Sequence, residues 1–270
     1  MTAPGLTPEQ KSLRSTRLTG SSIAGLLGRS PWDSPLEAWE YHTGRRDFAG
    51  NDDTEAGQFM ESGIGKLTLH KMPIDPVRAE TAVSPGTILH PEWPDVFAVT
   101  PDLIIESEQV GIQIKNHMPW ASQRYKGPPD PQMRWHNTLL PDEKLMQCLL
   151  EMEVVSKHYG GDKWVWFLAS YFGGSHLRVY WVHRDTTLMK AMVLLGLRFH
   201  RRHLDPAGPQ DPPSPECTCG GCGRGSMWWI GQERVQAPRV KLTKDEVLLV
   251  PSPLKRERQR APITDVSNAF

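Results

Sequence analysis

Residues 99–115, VTPDLIIESEQVGIQIK, read as a β-hairpin, and the rest of the chain is organised around it. An apolar run, Leu103-Ile104-Ile105, is followed by a charged turn, Glu106-Ser107-Glu108-Gln109, and by a second strand over 110–114 in which apolar and polar residues alternate. Side chains alternate between faces along a strand, so Gln113 and Lys115 share one face and Ile114 takes the other. Pro101-Asp102 leads into the first strand, and Gln113-Ile114-Lys115 closes the second, which brings an acid, an amide and an ammonium together. These groups suit a divalent metal that attacks phosphate esters. The Asp102 carboxylate and the Gln113 carbonyl serve as ligands for Mg²⁺, the Ile114 main-chain carbonyl adds another, and Lys115 orients or activates the attacking water. The same residues also suit a solvated hairpin whose charges simply face water.

The chain has 270 residues, enough for one large domain with a buried core, or a domain with a tail. Lysine plus arginine number 31 and aspartate plus glutamate 31, so the net charge is zero. Any nucleic-acid contact must therefore come from local basic clustering and not from an overall positive field. No apolar run approaches the roughly 18 residues of a membrane span, and the opening MTAPGLTPEQKSLRS lacks the apolar core of a signal peptide. The expectation is a soluble, cytoplasmic protein with no membrane partner.

Residues 1–16 read as a flexible, polar lead-in, disordered or weakly helical. A short helix over 22–27 ends at Gly28, a second opens at Pro35 and stops at Gly44, and a third lies within 54–72 with Phe59, Met60, Ile64, Leu67 and Leu69 on one face and Glu61 beside them. Short strands are expected around 79–83, 87–89 and 96–100. After the hairpin comes a Pro-rich loop carrying Arg124, Lys126 and Arg134, whose length suits a functional role and whose cations suit phosphate contact. A helix over 143–157 follows, with Leu145, Met146, Leu149, Leu150, Met152 and Val154 as its apolar side and Gln147 also on it. Two antiparallel strands, 163–171 and 177–183, flank Gly173-Gly174, and a long helix spans 186–204. From 205 to 250 the chain is Pro/Gly-rich and contains Cys217, Cys219 and Cys222 in C-x-C-x-x-C spacing, and 251–270 read as a disordered tail. Such a cysteine loop suits Zn²⁺, or less readily an iron–sulfur cluster, with Cys148, His200 or His203 as the fourth ligand, and equally suits a loop without metal.

The order of these motifs resembles the PD-(D/E)XK nuclease superfamily and, within it, the YqaJ-type phage recombinase family that includes lambda-exonuclease-like enzymes. Arg17, the run Gly20-Ser21-Ser22-Ile23-Ala24-Gly25-Leu26-Leu27-Gly28 and Ser30-Pro31-Trp32 resemble the family's opening arginine, helix and turn. Gly57 to Glu61 resembles its Gly-x-x-x-Glu helix, Pro101-Asp102 with Gln113-Ile114-Lys115 its metal hairpin, and Gln147 the glutamine of its next helix. The likeness covers roughly residues 15–200, and it places the nuclease domain at 17–204.

The resemblance implies an α/β restriction-endonuclease-like fold, with a central mixed β-sheet flanked by helices. It implies a Mg²⁺- or Mn²⁺-dependent deoxyribonuclease, an exonuclease acting on double-stranded DNA ends in recombination or repair. In it Asp102, Gln113, Ile114 and Glu61 hold the metal, Lys115 assists the water, Arg17, Ser21 and Ser22 hold a 5′ phosphate, and Gln147 bonds across the site or to DNA. A homo-oligomer and a single-strand annealing protein are the implied partners. Two positions depart from the family: Ser22 stands where it has aspartate, and Gln113 where it has glutamate. An amide in place of a carboxylate removes a negative charge that hard Mg²⁺ favours. A catalytically inactive DNA-binding accessory protein is therefore the competing reading.

Overall fold

The computed structural model describes residues 8–46, 52–72, 74–125, 140–173 and 176–214. The expected domain limits at 205–250 and 251–270, and with them Cys217, Cys219 and Cys222, fall largely or wholly outside the described residues. Within the lead-in, where a weak helix was one of the two expectations, residues 8–15 form α1 (Pro8–Ser15). It is followed by β1 (Leu18–Thr19), α2 (Ile23–Leu26), α3 (Pro35–His42) and α4 (Asp52–Lys71). Helix α3 begins where its sequence says it should. Ser34 accepts from the backbone N–H of Glu37, the Glu37 carboxylate accepts from the backbone N–H of Ser34, and Pro35 occupies the first turn.

After α4 come α5 (Pro76–Ala79), β2 (Ile88–Leu89), β3 (Phe97–Val99), β4 (Leu103–Ile105), β5 (Val110–His117), α6 (Asp142–Tyr159), β6 (Val165–Phe172), β7 (His176–Val182) and α7 (Thr186–His203). The strand expected over 79–83 is not there: Asp75 caps a helical turn by accepting from Val77, Pro76 starts it, and only Val83 pairs, as an isolated bridge to Ile104. The hairpin turn is a 3₁₀ turn over Glu106–Glu108, and β5 runs on past 114 to His117.

The protein is a mixed α/β structure with two mixed sheets flanked by helices. One sheet has the order β1-β3-β2 and the other β4-β5-β6-β7. A single central sheet is interrupted between β3 and β4, at Thr100-Pro101-Asp102, where proline has no N–H to give a ladder. In the larger sheet β5 and β6 are parallel, with Gln113 opposite Leu168 and Lys115 opposite Ser170. Parallel neighbours need a crossover, and α6 provides it.

The faces of β5 are sharply divided. Val110, Ile112 and Ile114 enter a core with Ile64 and Met72 of the α4 region and with Phe167, Ala169 and Val179. Gly111, Gln113, Lys115 and His117 turn to the α6 side. Helix α4 presents Ile64, Gly65 and Thr68 inward, while Phe59 is 53% exposed and Met60 and Leu67 are also exposed, so the expected apolar stripe is rotated. Gly65 is the reason: a Cβ there would meet Ile114 and Leu103 at 3.1 and 3.2 Å, so the helix packs by its glycine. Helix α6 is buried on nearly every side among α2, α7 and both sheets. Among the described residues no helix is long and apolar enough to cross a membrane.

Trp166, fully buried on β6, lies flat over Gly111, and a Cβ at Gly111 would stand 2.1 Å from its ring. Gly111→Ala should destabilise the fold by about 1–3 kcal/mol, because a core tryptophan must move. Gly63→Ala, at an open helical position with nothing within 4 Å, should be neutral or stabilise by up to about 1 kcal/mol. Urea denaturation of the two variants checks this, and equal effects would contradict it.

Candidate active site

The polar side chains collect where the odd-numbered face of β5 meets α6. Asp102, just before β4, turns one carboxylate oxygen, Oδ2, to two donors of β5: the Gln113 Nε2 amide and the backbone N–H of Ile114, the latter at 2.5 Å. Protein encloses the carboxyl group although the residue keeps some exposed surface. That burial raises its pKa to about 7, with the Glu61 charge adding to the rise and Lys115 and the Ile114 N–H opposing it. Gln113 is buried, and its carbonyl Oε1 has no hydrogen-bond partner. Glu61 is exposed on α4, near enough to act on Asp102 by charge. Lys115, half-buried, is felt electrostatically by Asp102 and by several groups of α6.

Helix α6 contributes Lys144, Gln147, Cys148 and Glu151, spaced i, i+3, i+4 and i+7, which is one face of a helix. Glu151 is fully buried; its Oε1 accepts from Gln147 Nε2 at 2.9 Å, and its Oε2 has no partner. Burial first, then the Asp102 charge, raises its pKa to about 8. Burial drives Lys144 down to about 8, and Lys115 beside it adds to the fall. His117 is held neutral, with a pKa near 3, by burial and by Lys144, Lys115 and Arg124, and its Nε2 lies 2.8 Å from the Tyr125 hydroxyl. Lys115 acts by charge on Asp102, Glu151 and Lys144, Glu61 acts on Asp102, and Glu143 acts on Lys144.

The N-terminal segment closes over this face. A Cβ on Gly20 would stand 2.8 Å from Glu151 Oε1 and 3.3 Å from Gln147 Cγ, so only glycine lets the β1–α2 turn approach so closely. Ser21 accepts from Arg14 at 2.8 Å, and Ser22 bonds with Thr19 within the turn. Arg17 donates to the main-chain oxygens of Leu13 and Pro94 and pairs with Asp95, so it ties the turn to the 90s loop, and Arg14 is the arginine that reaches Ser21. Arg124 pairs with Glu143 at 2.7 Å and lies over the exposed Trp32 ring. Lys126 and Arg134 lie outside the described residues. Of the ligands considered for the cysteine loop, Cys148 is a buried free thiol on α6, and His203 Nδ1 lies 2.5 Å from the Asp211 main-chain oxygen.

Asp102, Gln113, Ile114, Lys115, Glu61 and Gln147 therefore come together, with Ser21 and Ser22 alongside. Glu151, Lys144 and Arg14 were not anticipated. A Gln-x-x-x-Glu pair set among Leu145, Met146, Leu149, Leu150 and Met152 was the signal for Glu151. Among the described residues no three His, Cys, Asp or Glu side chains form a ready-made metal cage, so any cation here would also need amide or main-chain oxygens.

No protein-family model matches this chain, and no curated protein does. Among solved structures it is similar to the crystal structure of LHK-Exo in complex with dAMP, at 15% identity and a TM-score of 0.51, over 72% of this chain and 90% of that one. The likeness is one of fold, and it agrees with the mixed α/β architecture described above.

The folded-state pKa of Glu151 lies above its unfolded value, so the unfolded chain releases this proton first and stability falls as pH rises from about 4.5 to 8. In chelator, Glu151→Gln should be more stable than wild type at pH 8, by on the order of a few kcal/mol, and the gain should shrink toward zero below pH 5. A gain that does not vary with pH, measured by thermal denaturation, would count against a buried carboxyl at this position.

Proposed function

We propose that the protein is a metal-dependent deoxyribonuclease, an exonuclease acting on double-stranded DNA ends in phage-type recombination or repair. The observation that carries the reading is the placement of the Asp102 carboxylate on β5 beside Gln113 and Lys115, with cations further along the same face. The fold likeness to LHK-Exo, a structure solved with a deoxynucleotide, supports a nucleic-acid substrate.

The residues suit a hard divalent cation. Gln113 Oε1 is buried without a partner, and Asp102 is crowded by the negative charge of Glu61; a cation would relieve both. All the donors are oxygens, as Mg²⁺ or Mn²⁺ prefers. Asp102, Gln113 and the Ile114 carbonyl would hold the ion, with Glu61 directly or through water. Bound there, it would stabilise charge developing on the phosphate. Lys115 positions the attacking water and eases its deprotonation. Lys144 and Arg124 attract the phosphate backbone, and Gln147 keeps Glu151 in place. A homo-oligomer and a single-strand annealing protein are partners compatible with this reading.

A second reading has its own observation. The Gln113 amide donates to the very oxygen of Asp102 that a metal would use, so the chain also fits a DNA-binding recombination accessory protein with a silent site. Digestion of linear and closed circular duplex DNA with Mg²⁺ or Mn²⁺ separates the two. The nuclease reading expects wild type to degrade the linear form alone, and Lys115→Ala to lower the rate by about 100-fold or more. Wild type that degrades nothing, with activity appearing in Gln113→Glu, supports the accessory protein.

A further inference from the structure

We propose that the Trp32 ring, with Arg124 packed over it, is a stacking platform for one unpaired nucleobase of a DNA strand. This rests on the nuclease reading above and adds to it a contact with a base, where that reading assigns contacts with metal and phosphate.

Trp32 is 61% exposed, whereas Trp39, Trp164 and Trp166 are buried in the core. The turn that carries it is nonetheless well held. Ser30 Oγ accepts from the backbone N–H of Trp32 at 3.1 Å and from that of Asp33 at 3.3 Å. The buried Arg29 just before the turn pairs with Asp142 at the start of α6, and just after it Ser34 and Glu37 close the cap of α3. The backbone on both sides of Trp32 is therefore fixed by polar contacts that do not involve the indole. A large apolar ring kept in water on a fixed turn contributes little to the fold, and it loses little further freedom when something stacks on it.

Two contacts tie this ring to the candidate active site. The Arg124 Cζ lies 4.9 Å from the Trp32 ring centroid, and its Nη2 pairs at 2.7 Å with Glu143, the residue before Lys144 on α6. Tyr125, next in the chain to Arg124, places its hydroxyl 2.8 Å from His117 Nε2, on the face of β5 that also carries Lys115. Trp32 thus stands where the 29–34 turn meets the first turn of α6 and the segment that follows β5.

The chemistry of the pair selects its partner. A guanidinium over an indole gains from the negative face of the ring, and the N–H groups along its edge suit a phosphate. The exposed indole surface suits a second flat π-system, with little regard for which base supplies it. A flat apolar ring beside a cation matches the two halves of a nucleotide. Inside a duplex both faces of a base are covered by its neighbours, so an unpaired base is the one that can offer a face to Trp32.

The test is fluorescence anisotropy of the full chain with a labelled DNA hairpin that ends in a short unpaired overhang, and with the same hairpin carrying abasic sites throughout the overhang. Titrations are run in chelator and again with Ca²⁺, for wild type, Trp32→Ala, Trp32→Phe and Lys144→Ala. Trp32→Ala should bind the normal overhang about tenfold more weakly, and Trp32→Phe should keep most of the affinity. Wild type and Trp32→Ala should bind the abasic overhang equally, with circular dichroism unchanged. Wild-type affinity in Trp32→Ala alongside weaker binding by Lys144→Ala would overturn this inference and leave the nuclease reading standing. A loss in Trp32→Ala of the same size on the abasic overhang would overturn it too, since it would mark a role in placing Arg124 against phosphate. No DNA binding by wild type in either condition, or binding indifferent to both Trp32 and Lys144, would overturn both.

Discussion

The parallel pairing of β5 with β6 is the constraint from which the site follows. Two parallel neighbours cannot be joined by a tight turn, so the chain must cross over the sheet, and α6 is that crossover. The helix is clamped between the larger sheet, the smaller sheet, α2 and α7, and it has little freedom to rotate. Its one polar stripe, from Lys144 to Glu151, is therefore held over the one polar face of β5, from Gln113 to His117. Apolar packing of Leu145, Met146, Leu149, Leu150, Met152, Val154 and Val155, with ion pairs of Asp142, Glu143 and Lys157 toward its ends, fixes where the charges meet.

What meets there is unusual in composition. Asp102 and Glu151 are both pushed toward the neutral form by burial, while Lys144 and His117 are pushed toward theirs. Groups perturbed this far, facing one another in one cleft, are a common mark of a site that binds something charged.

Much of the architecture was legible in the sequence because it rests on local rules. Strict alternation along 110–115 gave the division of β5, and Pro35 gave the start of α3, where Ser34 and Glu37 complete the cap. The readings that went astray did so where shape outweighed hydrophobicity. Counting apolar residues put Phe59, Met60 and Leu67 on the buried side of α4, but Gly65, which scores as nothing, sets the packing face. Asp75-Pro76 starts a helical turn that runs into the strand expected at 79–83. At the site, the hairpin residues were found because they are close in sequence. Glu151 and Lys144 were not, because an acid and a lysine on a helix look solvent-facing until the helix is known to be buried all round.

The most direct test is a crystal structure of the protein soaked with Mn²⁺, read by anomalous scattering. The account predicts a peak in the wedge between β5 and α6, ligated by Asp102 and by the Ile114 main-chain oxygen, with the Gln113 amide turned so that its oxygen faces the ion. Crystals that take up Mn²⁺ elsewhere, while Gln113 Nε2 still donates to Asp102 in an unaltered wedge, would contradict it.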